Sequence, residues 1–243
     1  MTAPGLTIRG DLWIGGDCLA ERLDITAAAG RWTCLLGPSG VGKSTIGRLV
    51  AGLPGPARLT GGLDAPPRGQ VAAMAQDDQL LPWATALANV TIGARLRGMR
   101  ADLARARDLL DRVGLAGRHD ARPGQLSGGQ RQRVALVRTL VEDRPFVVLD
   151  EPFSALDAGT RAAMQDLSAR FLAGRTVLLI THDPLEAARL GHAAWLITRD
   201  GSRQLPLPRT AAPRDLGDAD VLSAQAAIYQ ALTAPAGAAP CAS

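Results

Sequence analysis

The sequence predicts an α/β fold built on a parallel sheet, and three observations support this. The chain has 243 residues, enough for one large domain with a sizeable core. Two short, continuously apolar segments, "FVVLD" (146–150) and "TVLLITHD" (176–183), flank a helical pattern around 158–172. Strand, helix and strand in this order indicate parallel strands buried on both faces. A glycine-rich segment beginning at Gly37 separates another strand pattern from another helix pattern.

The N-terminal part predicts a second, antiparallel sheet. Residues 6–36 contain short apolar segments that are separated by glycine and aspartate: "LTIRGDLWIGG", "RLDIT" and "RWTCLL". This pattern is typical of a small β-subdomain that delivers its last strand into the Gly37 segment. The following "STIGRLVAGL" has helical spacing and ends at Gly52 and Pro54. Residues 54–69 predict a loop or short strand, and "QVAAMAQ" predicts a buried strand.

The middle of the chain predicts helices, and its end predicts a tail. From about 85 to 143 three segments have helical spacing: "TALANVTIGARLRG", "ADLARARDLLDRVGL" and "GGQRQRVALVRTLVED". Beyond about 205 the composition shifts to proline and alanine, with one helix expected near 215–232. We therefore expect a domain over 1–205 with an inserted helical subdomain over about 85–143, and a short tail over 206–243.

Composition narrows the function classes. The net charge is +4, but the arginines alternate with acids, which favours solvated helix faces over a nucleic-acid-binding stripe. Cys18, Cys34 and Cys241 have no paired spacing, which indicates a reducing compartment. The first residues, "MTAPGLTIRG", do not resemble a signal peptide, and no segment approaches the ~18 apolar residues of a membrane span. We expect a soluble chain whose membrane role, if any, depends on a partner.

The glycine-rich segment predicts a phosphate site. "GPSGVGKS" satisfies G-x-x-x-x-G-K-[ST] between a strand and a helix, which is the context that the motif requires. Backbone N–H groups and the helix N-terminus favour the anion, Lys43 would reach the β- and γ-phosphates, and Ser44 would bind Mg²⁺. Lys43 is the one lysine among 27 basic residues, and a compact ammonium is not interchangeable with a guanidinium. The residues assigned to the nucleotide here are Gly37, Pro38, Ser39, Gly40, Val41, Gly42, Lys43, Ser44 and Thr45.

Two further segments extend this site. The strand "FVVLDEP" ends in Asp150, which can hold a magnesium shell, and Glu151, which can orient or deprotonate an attacking water. In "LSGGQRQRVALVRTL", Ser127 would begin a helix while Gly128 and Gly129 expose N–H groups, which makes a second anion site. One nucleotide cannot easily use both anion sites of one molecule. Two copies arranged head to tail would bring each Ser127 to the γ-phosphate held by the other copy's Lys43.

With these motifs in this order, the chain resembles the ATP-binding cassette (ABC) family from about residue 6 to 200. The resemblance implies a P-loop NTPase core of the RecA type and implies ATP and Mg²⁺ as cofactors. Gln76 in "MAQDD" matches the glutamine loop and would join Ser44 and Asp150 around the metal. Gln130 completes "LSGGQ", Asp157 in "SALD" matches a dimer-facing loop, and His182 in "ITHD" matches the γ-phosphate switch. His119 and His192 have no such context and are interpreted as surface residues.

The family usually stacks an aromatic ring on adenine, and Trp13 stands about where that ring is expected. Stacking would contribute ~1–3 kcal/mol by analogy with contacts between bases and aromatic side chains. Packing within the small sheet is the alternative role for Trp13, and the sequence leaves both open.

The single, compact set of motifs is similar to the ATPase subunits of bacterial importers. That resemblance implies a homodimer at the cytoplasmic face of the inner membrane, a separate permease and, indirectly, a periplasmic solute-binding protein, with no nucleic acid. The "LLPW" sequence, Leu80–Trp83, suits a cleft for the permease or ordinary packing. It resembles the nitrate, sulfonate, taurine and thiamine-precursor importer group, and "RWTCLLGPSGVGKST" together with "MAQDD" resembles an importer of a thiamine pyrimidine precursor. A soluble ATPase acting on nucleic acid or ribosomes and an exporter subunit remain alternatives.

Overall fold

The strands of the protein form two sheets. Together they position a set of loops at one edge of the larger sheet. The computed structural model describes residues 3–234. The strands are β1 (Leu6–Ile14), β2 (Asp17–Ala27), β3 (Trp32–Leu36), β4 (Ala57–Asp64), β5 (Val71–Met74), β6 (Phe146–Asp150), β7 (Thr176–Ile180), β8 (Ala193–Thr198) and β9 (Gly201–Leu205). The α-helices are α1 (Lys43–Val50), α2 (Ala86–Val90), α3 (Ile92–Leu96), α4 (Leu103–Arg112), α5 (Gly128–Val141), α6 (Ala158–Phe171), α7 (Pro184–Leu190) and α8 (Ala219–Thr233).

The smaller sheet has the order β2-β1-β4 and is antiparallel throughout, as the N-terminal pattern predicts. Its buried residues, among them Ile8 and Leu12, share a core with residues of α1 such as Ile46. This packing places the sheet beside the start of α1. The Gly/Pro-rich segment, for which the sequence left a loop or a short strand open, contains β4.

The larger sheet has the order β5-β6-β7-β3-β8-β9. Strands β5, β6, β7, β3 and β8 are parallel to their neighbours, and β9 pairs antiparallel with β8. Every residue of β3, β6 and β7 is buried, which explains why these strands are continuously apolar. Because the carboxyl ends of parallel neighbours meet at one edge, the segments that follow β3, β6 and β7 lie together there. The expectation of an α/β fold with a parallel sheet is confirmed.

The middle segment is helical, with one difference from the sequence prediction. The pattern over 85–98 predicts one helix, whereas the structure has α2 and α3 separated at Thr91. The hydroxyl of Thr91 donates a hydrogen bond to the carbonyl of Leu87 at 2.9 Å. Such back-bonding, together with a β-branched side chain, disfavours a continuous helix. The periodicity alone does not reveal this interruption.

The tail helix is confirmed as α8, which packs against α7. Before it, the buried guanidinium of Arg214 donates to the carbonyls of Ala188 and Gly191, both at 2.8 Å, at the C-terminal end of α7. A cation at this end satisfies carbonyls that lack helical partners. Within residues 3–234, no helix has the length and apolarity needed to span a bilayer. Cys241 lies outside the described residues.

Candidate active site

The loop between β3 and α1 is shaped by two glycines in backbone conformations that other residues rarely adopt. Gly37 has a φ of 151°, and a Cβ there would stand 2.3 Å from the carbonyl oxygen of Ile197. Gly42, the N-cap of α1, has a φ of 99°, and its Cβ would stand 2.5 Å from a methyl of Leu12. The small sheet and β8 therefore leave room for backbone only. Glycine is therefore required at both positions, and the loop leads directly into the N-terminus of α1, where an anion is favoured.

Lys43 places its ammonium inside this loop. Its Nζ donates to the carbonyl oxygens of Gly37 at 2.8 Å and Pro38 at 2.9 Å. An ammonium has three donors, so one remains for a ligand. Burial lowers the pKa of Lys43, while the carboxylates of Glu151 and Asp150 oppose this shift. The positive charge is thus held at the mouth of the loop, facing the end of β6.

Asp150, the last residue of β6, is only 7% exposed, and its Oδ1 lacks a hydrogen-bond partner among the described residues. Burial raises the pKa of this carboxyl, and a hydrogen bond with the side chain of Ser44 counteracts that rise. Ser44, Gln76 and Asp150 line one cavity of about 610 Å³. An unpaired buried carboxylate oxygen beside hydroxyl and amide oxygens is a donor set that fits a hard divalent cation.

Glu151 and His182 meet at the same edge. The Nδ1 atom of His182 lies 2.6 Å from Oε2 of Glu151. The Glu151 side chain is largely buried, whereas the His182 ring is mostly exposed. Glu151 follows β6 and His182 follows β7, so the pairing of these strands brings the two side chains together. A carboxylate oriented by an imidazole at a phosphate loop can activate water.

The signature segment lies at the start of α5. Its N-cap Ser127 accepts a hydrogen bond at Oγ from the N–H of Gln130 (3.3 Å), and Oε1 of Gln130 accepts one from the N–H of Ser127 (2.9 Å). This capping box satisfies backbone donors at the first turn of a 14-residue helix, whose N-terminus favours negative charge. Ser127, Gly128 and Gly129 are not among the described residues that line the cavities beside the phosphate loop.

Asp157 and Trp13 lie near the edges of this arrangement. Asp157 caps α6, where its Oδ1 accepts from the N–H of Thr160 at 3.0 Å, and these backbone hydrogen bonds lower its pKa. The ring of Trp13 is partly buried and lies 5.2 Å from the guanidinium carbon of Arg58 on the adjacent strand. Arg58 therefore covers the Trp13 ring. Among the described residues, Trp13 does not line the cavity beside Pro38–Val41, and its stacking role stays a prediction.

The structure also brings together residues that the sequence did not single out. A cavity of about 630 Å³ beside Pro38–Val41 is lined by Cys18 and Leu19 of β2 and by Ala231 and Leu232 of α8. His192, interpreted as a surface residue, is exposed, and its Nδ1 accepts a hydrogen bond from the N–H of Trp32 at 3.1 Å. Gln132, two residues beyond the signature, lies against the Glu151 backbone. The one sequence signal that could have identified Gln132 is a polar residue on a buried helix face.

A phosphate loop follows β3, two acidic residues stand at the end of β6, and a histidine follows β7. This arrangement defines the class of P-loop NTPases. Within this class the chain belongs to the ABC transporter family, because a profile of that family matches residues 20–154, more than half of the chain. The resemblance inferred from the ordered motifs is confirmed. The chain is accordingly an ATP-binding ATPase.

Individual relatives agree with this assignment. An uncharacterized ABC transporter ATP-binding protein of Haemophilus influenzae is 40% identical over 91% of this chain and 95% of its own length. The aliphatic sulfonates import protein SsuB 1 of Rhodococcus jostii is 48% identical (82% and 81%), and the thiamine import protein ThiQ of Cereibacter sphaeroides is 43% identical (78% and 87%). Among solved structures, the dimeric post-hydrolysis state of the cassette MJ0796 with ADP and Pi matches with a TM-score of 0.69 at 25% identity, covering 87% of this chain and all of that one.

Proposed function

We propose that this chain is the ATP-hydrolysing subunit of a bacterial ABC importer and works at the cytoplasmic face of the inner membrane. The observation that carries the proposal is the meeting of Lys43, Asp150 and the Glu151–His182 pair at one edge of the sheet. The names of the relatives, which import sulfonates or thiamine, support import as the direction. The main domain is proposed to cover 1–205, with the helical subdomain at about 85–143 and the tail at 206–243.

In this proposal each side chain acts from the position it occupies. Lys43 and the loop N–H groups bind the β- and γ-phosphates, and Glu151 accepts the proton of the attacking water. His182 holds the Glu151 carboxylate and faces the γ-phosphate. Positioning and charge stabilisation account for most of phosphoryl-transfer catalysis, so these groups act mainly by staying in place.

Ser44, Gln76 and Asp150 are proposed to hold Mg²⁺. The unpartnered Oδ1 of Asp150 supports this assignment, since a bound cation would compensate its burial. When bound, the ion would neutralise charge on the phosphate oxygens. Ser44, Gln76 and Asp150 line the same cavity, so the fold places the three side chains around one space in which an ion could bind.

A head-to-tail homodimer is the proposed functional unit. The rigid start of α5 with Ser127 is suited to an anion, yet it does not line the cavities at the chain's own phosphate loop. A second copy would place Ser127, Gly129 and Asp157 against the nucleotide bound by the first. The dimeric MJ0796 structure supports a dimer by similarity.

A separate permease is the proposed membrane partner. Trp83 is 72% exposed and Pro82 is exposed, while the neighbouring Leu80 is buried. An exposed indole held beside the glutamine loop favours docking over ordinary packing for Trp83. A periplasmic solute-binding protein would deliver the solute, and a sulfonate, a nitrate-like anion or a thiamine precursor is the proposed range of solutes.

The experiment is purification of Glu151→Gln protein with ATP from detergent-solubilised membranes, followed by mass spectrometry of the chains that co-purify. Blocking hydrolysis should keep the closed dimer assembled on its partner. We expect a multi-span permease, and a solute-binding protein captured by the same complex would establish import and carry its solute. Lys43→Ala protein, which should not bind ATP, is the control. Recovery of ribosomal or DNA-binding chains alone would contradict the transport proposal.

A further inference from the structure

The side-chain amide of Gln132 connects α5 to the loop that follows β6. Its Nε2 donates to the carbonyl of Glu151 at 2.9 Å and to the hydroxyl of Ser154 at 3.1 Å. Its Oε1 accepts a hydrogen bond from the N–H of Ala155 at 2.9 Å. Gln132 is only 6% exposed, so these contacts form away from water. Both ends of the amide are therefore bonded to the β6–α6 loop.

The Glu151 backbone needs such support. Its φ is 50°, in the left-handed region that residues with a Cβ seldom adopt. Such a conformation persists only where the surrounding contacts determine it. The Glu151 N–H donates to the carbonyl of Ile180 at 2.9 Å, and the Glu151 carbonyl accepts from Gln132 and from the hydroxyl of Ser154 at 3.0 Å. The peptide groups on both sides of the Glu151 Cα are thus fixed.

This backbone conformation decides where the carboxylate points. Because the chain turns at Glu151, its side chain reaches His182 at 2.6 Å instead of continuing the alternation of β6. Gln132 contacts neither His182 nor the phosphate loop among its described hydrogen bonds, so any effect on the reaction passes through the Glu151 main chain.

We propose that Gln132 is a positioning residue that holds Glu151 in its left-handed conformation. In this way Gln132 keeps the Glu151 carboxylate aligned to accept a proton from the attacking water. The inference rests on the proposed role of Glu151 as the general base. The helix that carries Gln132 begins at Ser127, and Gly129 approaches the carbonyl of Ala155 so closely that a Cβ there would stand 3.0 Å away. The orientation of Glu151 therefore depends on the position of the signature helix in the same subunit.

The first test replaces Gln132 with methionine, which keeps length and volume and removes the polar contacts. In the purified full chain, kcat for ATP hydrolysis should fall at least about tenfold, while KM for ATP stays within about twofold. Gln165→Met is the matched control, because Gln165 is also a buried amide, bonded to Arg189 on a different helix at 2.7 Å. The control should keep the wild-type kcat. A wild-type kcat for Gln132→Met would overturn the inference.

A double variant distinguishes this inference from the proposed function. If Gln132 acts through Glu151, then adding Gln132→Met to Glu151→Gln should not lower the residual rate further. A further fall equal to that of the single variant would overturn the positioning role. A wild-type rate for Glu151→Gln alone would instead remove Glu151 as the base, whatever the Gln132 variants do.

Gln132→Glu gives a pH readout and keeps the shape of the side chain, so it covers the case in which the methionine variant does not fold. A carboxylate accepts hydrogen bonds but cannot donate one to the Glu151 carbonyl, whereas the protonated acid can. Position 132 is 6% exposed, and burial would raise the pKa of the introduced carboxyl, so the ratio of its kcat to that of the wild type should rise as the pH is lowered from about 8 to about 6. A ratio that stays constant over this range would contradict a role for the donor.

Discussion

At the scale of single residues, the lone lysine has a defined environment. The Lys43 ammonium donates to two loop carbonyls at 2.8 and 2.9 Å and is held near Asp150 and Glu151. A guanidinium is planar and wider, and it presents its donors as a fixed fork. It cannot occupy the position between Gly37 and Pro38 while also directing a donor to a phosphate. The local geometry therefore explains why this position keeps lysine in an arginine-rich chain.

Lys43→Arg should lower the ATPase rate at least about tenfold, because the fork displaces the charge from the phosphate oxygens. Arg48→Lys, a swap of cations at an exposed site of the same helix, is the control and should keep the wild-type rate. Steady-state phosphate release measures both. A fully active Lys43→Arg protein would show that any cation suffices at this position.

Glu186 is a second residue with an unusual environment. It lies in α7, is 3% exposed, and its Oε2 accepts a hydrogen bond from the Thr181 hydroxyl at 2.7 Å. Burial raises the pKa of Glu186 to about 7, opposed by the Thr181 hydrogen bond and reinforced by Asp183. Because Thr181 precedes His182, this buried acid supports the loop that carries the histidine.

The raised pKa of Glu186 predicts a pH-dependent stability. From the unfolded pKa near 4.5 to the folded pKa near 7, the folded state holds the proton that the unfolded state has lost, so stability falls as pH rises. Glu186→Gln can keep the Thr181 hydrogen bond and removes this loss. It should exceed the wild type in free energy of unfolding by about 3 kcal/mol at pH 8 and by much less at pH 5. Denaturant unfolding at both pH values measures this, and an equal difference at both would contradict it.

At the scale of elements, the glutamine loop is held from two sides. Arg138 of α5 donates to the carbonyls of Asp78 and Gln79 at 2.7 and 2.8 Å, and Arg131 of α5 bonds the Asp78 carboxylate at 2.9 Å. On the other side, the buried Asn89 of α2 accepts from the N–H of Leu81 at 2.7 Å. Trp83 is thus presented on a segment anchored to the signature helix and to α2.

Trp83→Ser should separate hydrolysis from transport. The ATPase rate of the purified chain should stay within about twofold, since Trp83 is 72% exposed and substitutions at exposed positions usually perturb the fold little. Solute uptake by cells carrying the variant should fall at least about tenfold, because a docked indole is typically a dominant contact. Tyr229→Ser changes another exposed aromatic residue, on α8, and should leave uptake unchanged. Equal uptake by both variants would assign Trp83 to local packing.

At the scale of the whole molecule, the proposed composite site makes a prediction about mixed dimers. Lys43→Ala damages the phosphate loop, and Ser127→Arg damages the signature, so each variant alone should be inactive. In a head-to-tail heterodimer of the two, one site combines both defects while the other is intact. Random mixing should restore about a quarter of the wild-type rate if the two sites act independently. No recovery on mixing would mean that each chain completes its own site.

Much of the fold followed from local pattern. The buried strands, the phosphate loop and the tail helix all have periodicities or spacings that depend on near neighbours in the chain. The break between α2 and α3 at Thr91 did not follow from local pattern. There a single hydroxyl, bonded to the carbonyl of Leu87, interrupts a segment whose periodicity is otherwise helical. The covering of Trp13 by Arg58 likewise depends on the pairing of β1 with β4, about 45 residues apart along the chain.

By itself, the sequence determined the class of the protein and its family, and it identified the side chains that we propose bind phosphate, because those groups lie in short motifs next to the strands that position them. Only the tertiary structure showed which groups contact Glu151, the residue that we propose as the general base. Gln132 reaches Glu151 only because α5 packs beside the end of β6, and His182 reaches it only because β6 and β7 are neighbours. Such contacts join residues 19 or more positions apart, and no local pattern of apolar and polar residues records them.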